Sequence, residues 1–310
     1  MRITCLMLAA AALVSAGAVT ALGYLAPWWP RADMPNHFTP LIIAVCVAGL
    51  ALLALEARKN AMQRRTRLML VAGLIAVTAI NVTSVLRALA TTAVAAQGTA
   101  DTLTVVSFNV WSKNQRIDEA TRWLVDQQAD VIILQEMTFK NRQPIKRDLA
   151  ATYPYVHDCG CNDIVMFSRR PWTTAGGQQR TAEQPAMSWL TLVDGDGREF
   201  RVVGLRPRYV MHPAEHAAHY DWLVRHAGKL GDRLILADFN AAPWSWQMMR
   251  FVAASSLRRH GTYAATWPSR LPVVLIDNVL TTRDIKSVSF RTGPDLGSDH
   301  LPIIATVALR

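Results

Sequence analysis

The chain has 310 residues, of which 51% are hydrophobic, and it carries a formal net charge of +10. It is long enough to bury one large core or two smaller ones, and it contains no internal repeat. Residues 1–99 hold eight Lys/Arg and two Asp/Glu (+6), whereas residues 100–310 hold twenty-five and twenty-one (+4). The small excess in the second part argues against tight, strongly salt-dependent DNA binding, and the larger excess in the first part points to membrane topology.

Three apolar runs occupy the first ninety residues. Ile3 to Ala26 is uncharged and long enough to cross a bilayer. A cleaved signal peptide is the alternative for this run, because Arg2 supplies a short basic start and small residues are abundant. Two further runs of near-spanning length, Thr39 to Leu55 and Leu68 to Leu86, favour three transmembrane helices over one removed leader.

The loop between the second and third runs, Glu56 to Arg67, contains five basic residues. The positive-inside rule places such a loop in the cytoplasm, so the third helix is predicted to exit outward. Residues 1–90 are thus predicted to be a multi-pass anchor in a bacterial inner membrane, and residues 91–101 a small, polar linker. Residues 102–310 are predicted to form a domain on the periplasmic, or extracytoplasmic, side.

Polar side chains follow three apolar strands of this domain at the point where each strand ends. Asn109 ends the run from Leu103, Glu136 ends the run from Asp130, and Asp238 with Asn240 end the run from Arg233. Two residues apart on a strand, Asp238 and Asn240 lie on the same side. They are alternatively helix N-caps after a buried strand. Convergence of these groups on one edge would make the oxygen-rich cluster that Mg²⁺ or Mn²⁺ prefers.

The remaining periodicities predict an alternation of helices and strands. Helices are predicted at 117–128, 141–153 and 212–230, and strands at 163–168, 188–193, 198–205, 272–281, 284–291 and 301–309. The strands at 188–193 and 198–205 are joined by Asp194-Gly-Asp-Gly197, a hairpin signal.

A Ser298-Asp299-His300 turn precedes the last predicted strand, between Gly297 and Pro302. It is either only a tight turn or, with Asp277 available, the support of an imidazole oriented by a carboxylate. The second arrangement is a recurrent acid/base device.

Five short motifs therefore occur in a definite order in residues 102–310: Phe108-Asn109-Val110, Gln135-Glu136, Asp238-Phe239-Asn240, Ile276-Asp277 and Ser298-Asp299-His300. This ordered set resembles that of the endonuclease/exonuclease/phosphatase superfamily, and it is quite specific. The resemblance implies an α/β four-layer sandwich of two packed, mostly antiparallel sheets flanked by helices, here behind about three transmembrane helices. It also implies Mg²⁺-dependent (or Mn²⁺-dependent) hydrolysis of phosphoesters, with lipids and nucleic acids among the family's substrates.

The resemblance also implies roles for single residues. Glu136 would be the principal metal ligand, Asn109 would support the metal and the phosphate, and Asp299 would assist near the metal.

Four further residues would act on the substrate by the same resemblance. Asp238 would orient or deprotonate the attacking water, and Asn240 would hold the phosphate. His300 would contact the scissile phosphate, backed by Asp277.

Arg206 is a departure from the family pattern. It stands where most members carry a histidine, within Val202 to Pro207. An arginine binds and neutralises a phosphate well, but its guanidinium does not donate a proton at neutral pH. The resemblance, together with the three apolar runs, implies a membrane-anchored, metal-dependent phosphoesterase. The alternative is a catalytically weakened or inactive relative that binds a phosphate-bearing ligand or partner.

Two other patterns invite a metal interpretation. His212, His216 and His219 have helical spacing that suits Zn²⁺, but a solvated helix face is favoured because no second-shell carboxylate is evident. Cys159 and Cys161 are too few for a structural zinc site and are expected to be either a disulfide or two free thiols.

Overall fold

The computed structural model describes residues 2–57, 64–90, 101–161, 163–231, 234–237, 239–261 and 263–309. The predicted linker at 91–101 lies outside these residues apart from Asp101, and so does Asp238. The chain divides into two compact units, Met1–Ala90 with Trp244–Trp246, and Thr91–Pro243 with Gln247–Arg310.

Among its described residues, the first unit contains three long helices and one short 3₁₀ helix. They are α1 (Arg2–Gly23), the 3₁₀ helix Pro30–Phe38, α2 (Thr39–Ala57) and α3 (Arg64–Leu89). In the described part of the chain, three segments are long and apolar enough to cross a membrane: Cys5–Gly23, Pro30–Leu55 and Arg64–Leu89. The Asn81 amide of α3 donates to Thr20 Oγ1 of α1 at 2.9 Å, so this polar group links two helices.

The second unit contains four α-helices and twelve strands among its described residues. The helices are α4 (Ile117–Asp126), α5 (Phe139–Leu149), α6 (Pro213–His226) and α7 (Trp246–Ser255). The strands are β1 (Thr102–Asn109), β2 (Val131–Gln135), β3 (Tyr155–His157), β4 (Val165–Ser168), β5 (Thr174–Gln178), β6 (Ala186–Val193), β7 (Glu199–Arg206), β8 (Leu234–Ala237), β9 (Arg258–Arg259), β10 (Val279–Thr281), β11 (Lys286–Thr292) and β12 (Ile303–Ala308).

These strands form two six-stranded sheets, in the orders β11-β12-β1-β2-β4-β3 and β5-β6-β7-β8-β10-β9. Each sheet has one parallel pair at its centre, β1 with β2 and β7 with β8, and its other pairs are antiparallel. The two parallel pairs bring the carboxyl ends of four central strands to one edge of the domain, which positions the polar residues that follow them.

The domain is a four-layer α/β sandwich. Residues of both sheets, including Val131, Ile133, Leu190 and Val202, form one core between the sheets. A second core lies beneath α4 and α5, and a third beneath α6 and α7. The sheets approach closely at Gly204, where a Cβ atom would lie 2.5 Å from Ile133 Cγ2, so a larger residue would force them apart.

The observed elements depart from the predicted ones at β3 and β5, which were not predicted, and in the last third of the chain. Of the predicted strand at 272–281, only Val279–Thr281 is a strand. The preceding residues instead run beside Trp267, with a single bridge from Trp267 to Val274. Helix α7 was not among the predicted helices, although Ser245 directly before it is of a residue type that favours a helix N-cap.

His260 makes the stability of this unit depend on pH. It follows β9 and is fully buried, and its Nε2 lies 2.7 Å from Thr281 Oγ1. Burial and the charge of the neighbouring Arg259 lower its pKa from 6.5 to about 4. The folded state therefore binds fewer protons than the unfolded state between these values, so stability is full above about pH 6.5 and falls toward pH 4.

We expect the full chain in detergent micelles to lose stability over this window, by about 3 kcal/mol from His260 alone. Burial lowers the pKa of His219 as well, and its contribution has the same sign. His260→Gln should be less stable than the wild type at pH 7.5 but should show a shallower decline of the melting temperature between pH 6.5 and 4.5. An unchanged slope in this variant would contradict the assignment.

Candidate active site

The last residue of β1 and the first residue after β2 meet at the edge defined by the parallel pair. Asn109 lies opposite Gln135 in the β1–β2 register, and Glu136 comes directly after β2. The Asn109 amide donates to Glu136 Oε1 at 3.2 Å, while its own Oδ1 accepts from the Trp111 backbone N–H at 3.0 Å. These two residues therefore lie in contact, as the sequence predicted.

Glu136 is held by donors on several sides. Its backbone has a φ of +57°, and its Oε2 accepts from the Ser112 backbone N–H at 3.2 Å. Burial acts to raise the pKa of this carboxyl, but the charge of Arg206 and the hydrogen bonds from Asn109 and Ser112 outweigh it and leave the pKa below its usual value. Glu136 is thus an ionised, partly exposed carboxylate at neutral pH.

Arg206 ends β7 and forms a double ion pair across the edge. Its Nη2 donates to Glu136 Oε1 at 2.8 Å, and its Nη1 pairs with Asp163. The guanidinium is mostly buried, with 12% of the side chain exposed. Arg206 therefore lies within the site and contacts the carboxylate that the resemblance assigns to the metal.

His300 and Asp277 form a buried pair. His300 Nδ1 lies 2.9 Å from Asp277 Oδ2, and the same carboxylate oxygen accepts the Thr266 hydroxyl. The Asp277 carboxylate accepts from Nδ1 and thereby fixes the orientation of the His300 ring. Ser298 ties this pair to the rest of the site, since its Oγ donates to Asn109 O at 2.7 Å and accepts from the His300 backbone N–H at 3.1 Å.

Asp299 and Asn240 are placed at the same edge by other contacts. Asp299 Oδ2 accepts from Trp267 Nε1 at 3.4 Å, and its Oδ1 is buried with no hydrogen-bond partner among the described residues. Asn240 has a φ of +51°, and its amide donates to Pro207 O at 3.4 Å, directly after Arg206. Seven of the eight predicted site residues are thus described and connected. The eighth, Asp238, lies outside the described residues.

Sequence reasoning missed three residues that shape this site. Asp163 was predicted only as the start of a strand, yet it pairs with Arg206. Thr266 and Trp267 contact Asp277 and Asp299 from an irregular segment. An acidic residue at a strand start is the only local signal for Asp163, and nothing near it indicates a partner in β7.

The donor set suits a hard divalent cation. Glu136 and Asp299 supply carboxylate oxygens and Asn109 an amide oxygen, and the buried Asp299 Oδ1 lacks another partner in the described chain. Mg²⁺ is bound in proteins through one or two carboxylates and keeps several waters. In the part of the chain that is described, no group of three or more His, Cys, Asp or Glu could hold a metal, so waters or substrate oxygens would have to complete the coordination shell.

The three histidines after β7 do not form a solvated helix face, and that prediction was wrong. His216 and His219 are buried, because they bind the loop that follows Arg206. His216 Nδ1 lies 2.6 Å from Arg208 O, and His219 Nδ1 accepts from the Arg208 backbone N–H at 2.9 Å. They hold the loop in place rather than a zinc ion.

Cys159 and Cys161 form a disulfide, the first of the two alternatives that the sequence left open. The sulfur atoms pack on Gly177 of β5, where a Cβ atom would lie 2.5 Å from Cys159 Sγ. Asp158 beside them accepts from Arg142 at 3.0 Å and Lys146 at 3.3 Å, which fixes the loop that leads to Asp163.

The fold and this edge of polar residues define a phosphoesterase-type domain. The model of the Endonuclease/Exonuclease/phosphatase family matches residues 106–300, and the chain belongs to this family. No curated protein matches the sequence.

Several solved structures share the fold. A family protein from Bacteroides thetaiotaomicron is 18% identical with a TM-score of 0.53, over 68% of this chain and 98% of that one. A mannosyl-6-phosphatase from the same organism is 18% identical with a TM-score of 0.54, over 66% and 99%. Humanized D. rerio TDP2 is 15% identical with a TM-score of 0.55, over 66% and 98%. At these identities the likeness shows the fold alone.

Proposed function

We propose that the protein is a membrane-anchored, divalent-metal-dependent hydrolase of a phosphate ester. The observation that carries this proposal is the continuous network from Glu136 through Asn109 and Ser298 to the His300–Asp277 pair. This network joins Glu136, the carboxylate proposed to bind the metal, to the His300 imidazole that Asp277 orients, at one edge of the domain.

The proposed chemistry follows from charge. In hydrolysis, a water oxygen bonds to phosphorus while the bond from phosphorus to the leaving oxygen breaks, and negative charge accumulates on the phosphoryl and leaving oxygens. A cation held by Glu136, Asn109 and Asp299 would supply electrostatic stabilisation of that charge.

The chain's own residues divide the remaining work in this proposal. His300, as an imidazolium, would donate from Nε2 to a phosphoryl oxygen, while Asp277 accepts from Nδ1 and stabilises the positive charge of the ring. Asp238 orients or deprotonates the water, Asn240 holds the phosphate, and Arg206 neutralises it.

The anchor and compartment are also part of the proposal. Residues 1–90 act as a multi-pass anchor, 91–101 as a linker and 102–310 as the catalytic domain on the periplasmic side of a bacterial inner membrane. The Cys159–Cys161 disulfide supports this side, because disulfides persist in oxidising compartments.

Hydrolysis by the full chain in detergent micelles tests the proposal. The panel holds phosphomonoesters and phosphodiesters of lipids, nucleotides and sugars, each with Mg²⁺, with Mn²⁺ and with a chelator. Metal-dependent turnover of any ester supports the proposal. No turnover on the whole panel by folded protein contradicts it.

A second candidate is a protein that only binds a phosphate-bearing ligand. The ion pair of Arg206 with Glu136 favours it, because the guanidinium occupies an oxygen that a metal would need.

Arg206→His separates the two candidates. A histidine beside Asp163 can donate a proton and releases Glu136, so in an enzyme we expect kcat to rise about tenfold while KM also rises through the lost guanidinium. In a dedicated binder the variant should show no turnover and weaker binding of inorganic phosphate. Steady-state kinetics and calorimetry on the full chain measure both. A fall in kcat would show that the Arg206 guanidinium itself stabilises the transition state.

A further inference from the structure

The three most exposed large apolar side chains among the described residues of the second unit all lie near the candidate site. They are Phe139, Met211 and Leu271, which are 91%, 61% and 70% exposed. Single exposed apolar residues are normal on a protein surface, whereas a group of them beside a site indicates an interaction surface. We refer to these three side chains as the apolar rim.

Two members of the apolar rim follow site contacts closely along the chain. Phe139 begins α5 three residues after Glu136. Leu271 comes two residues after Ser269, whose backbone N–H donates to Asp299 O at 2.8 Å. A chain spans at most about 3.6 Å per residue, so the Cα atom of Phe139 lies within about 11 Å of that of Glu136. By the same measure, Leu271 lies within about 7 Å of Ser269.

The third member, Met211, belongs to the loop that follows Arg206. His219 holds this loop in place, because its Nδ1 accepts from the Arg208 backbone N–H at 2.9 Å. Tyr209 of the same loop is also exposed, and an aromatic ring with a polar tip suits a membrane interface. Three separate segments around the site therefore each present a large apolar side chain to the outside.

Exposed cations accompany the apolar rim. Lys140 follows Phe139 and Arg270 precedes Leu271, and both are exposed. Apolar side chains flanked by Lys and Arg are typical of surfaces that lie at the headgroup level of an anionic bilayer. In the described part of the chain, three segments are long and apolar enough to cross a membrane, so a bilayer is the partner that this chain would always have nearby.

We propose that the apolar rim enters the headgroup region of an anionic lipid bilayer, so that the site meets phosphate groups at the bilayer surface. Entry removes the apolar side chains from water, and the anionic headgroups attract Lys140 and Arg270. The inference goes beyond the proposed function and rests on it only for the consequence that the hydrolysed ester is drawn from this bilayer.

Fluorescence of the labelled full chain in lipid vesicles tests the inference without turnover. Phe139→Cys, Met211→Cys and Leu271→Cys are each made in a Cys5→Ser/Cys46→Ser background, which leaves one thiol besides the disulfide for a dye. The vesicles contain phosphatidylcholine with about one third phosphatidylglycerol, and some lipids carry a nitroxide on the acyl chain close to the headgroup. Each dye should lose about half of its emission to the nitroxide, because such a surface enters about 5–10 Å into the boundary.

Val193→Cys is the matched control. Val193 is exposed and ends β6, whereas Ala186 at the other end of this strand pairs with Arg206. Seven residues of strand place Val193 about 23 Å from Ala186. A dye at this position should keep nearly all of its emission.

Lys140→Gln/Arg270→Gln tests the electrostatic part of the inference. With the dye at Met211→Cys, quenching in the anionic vesicles should be clearly weaker in this variant than in its parent, and high salt should weaken the parent in the same way. In vesicles of phosphatidylcholine alone, the variant and its parent should be quenched equally.

Equal quenching at the apolar rim and at position 193 would overturn the inference. A dye that ignores the lipid nitroxide but brightens as the protein concentration rises would also overturn it, and would show that a second copy covers the rim. Turnover of soluble esters together with unquenched dyes would leave the proposed function intact and remove the bilayer contact. Quenched dyes without turnover on the ester panel would do the reverse.

Discussion

Glu136→Gln is expected to lower metal-dependent kcat/KM about a thousandfold. The substitution keeps the shape of the side chain and its hydrogen bond with Asn109, but it removes the negative charge that a divalent cation requires. It also removes one of the two carboxylates with which Arg206 forms ion pairs. Binding of Mg²⁺ to the full chain, measured by calorimetry, should weaken in parallel with the loss of turnover.

Glu119→Gln is the matched control for this prediction. Glu119 lies on α4 and pairs with Arg116 at 2.6 Å on the surface, so its loss should leave kcat/KM within about twofold of the wild type. A Glu136→Gln protein that retains more than about a tenth of the wild-type activity would show that another residue is the principal metal ligand.

The central strands of the domain were predictable because each is an apolar run that ends in a polar residue. The predicted run from Leu103 corresponds to β1, the run from Asp130 to β2, and the predicted hairpin to β6 and β7. Burial on both faces requires such runs, so local sequence is enough to find them.

The edge strands and the irregular segments could not be predicted in the same way. Strand β5 contains Gly176 and Gly177 and has no apolar alternation. It is held by its pairing with β6, and its glycines leave room for the Trp189 ring and for the disulfide. The segment before β10 is shaped by Trp267 and Ser269, which bind the Ser298–His300 turn. Both depend on contacts between distant parts of the chain.

The candidate site shows the same division. Asn109, Glu136 and His300 were predicted from their place in motifs, and the structure joins them through Ser298. The setting of Arg206 was not predictable, because its partner Asp163 belongs to no motif and precedes β4 of the other sheet. The motif shows that Arg206 stands in place of a histidine, but its charge partners are determined by the tertiary structure.

His300→Ala is expected to lower kcat about a thousandfold with little change in KM, and Asp277→Asn about a hundredfold. His300 is nearly buried, so its ring adopts one orientation and loses little entropy when it meets the developing charge of the transition state. Asp277 acts through the ring. An asparagine there can still accept from Nδ1, but it lacks the negative charge that stabilises the protonated ring.

The kcat-against-KM split distinguishes this role from a merely structural one. If the pair only held the turn in place, both variants would lower the melting temperature and raise KM, because Ser298 and Asp299 would shift together with the His300 backbone. If His300 meets the transition state, kcat falls while the melting temperature of Asp277→Asn stays close to that of the wild type. His226→Ala is the matched control. The His226 ring stacks on Trp222 at the end of α6, with centroids 4.1 Å apart, and none of its described contacts involves a residue of the candidate site. Its loss should therefore leave kcat unchanged. Equal kcat for His300→Ala and the wild type would exclude the imidazole from the chemistry and leave Arg206 as the candidate for phosphate stabilisation.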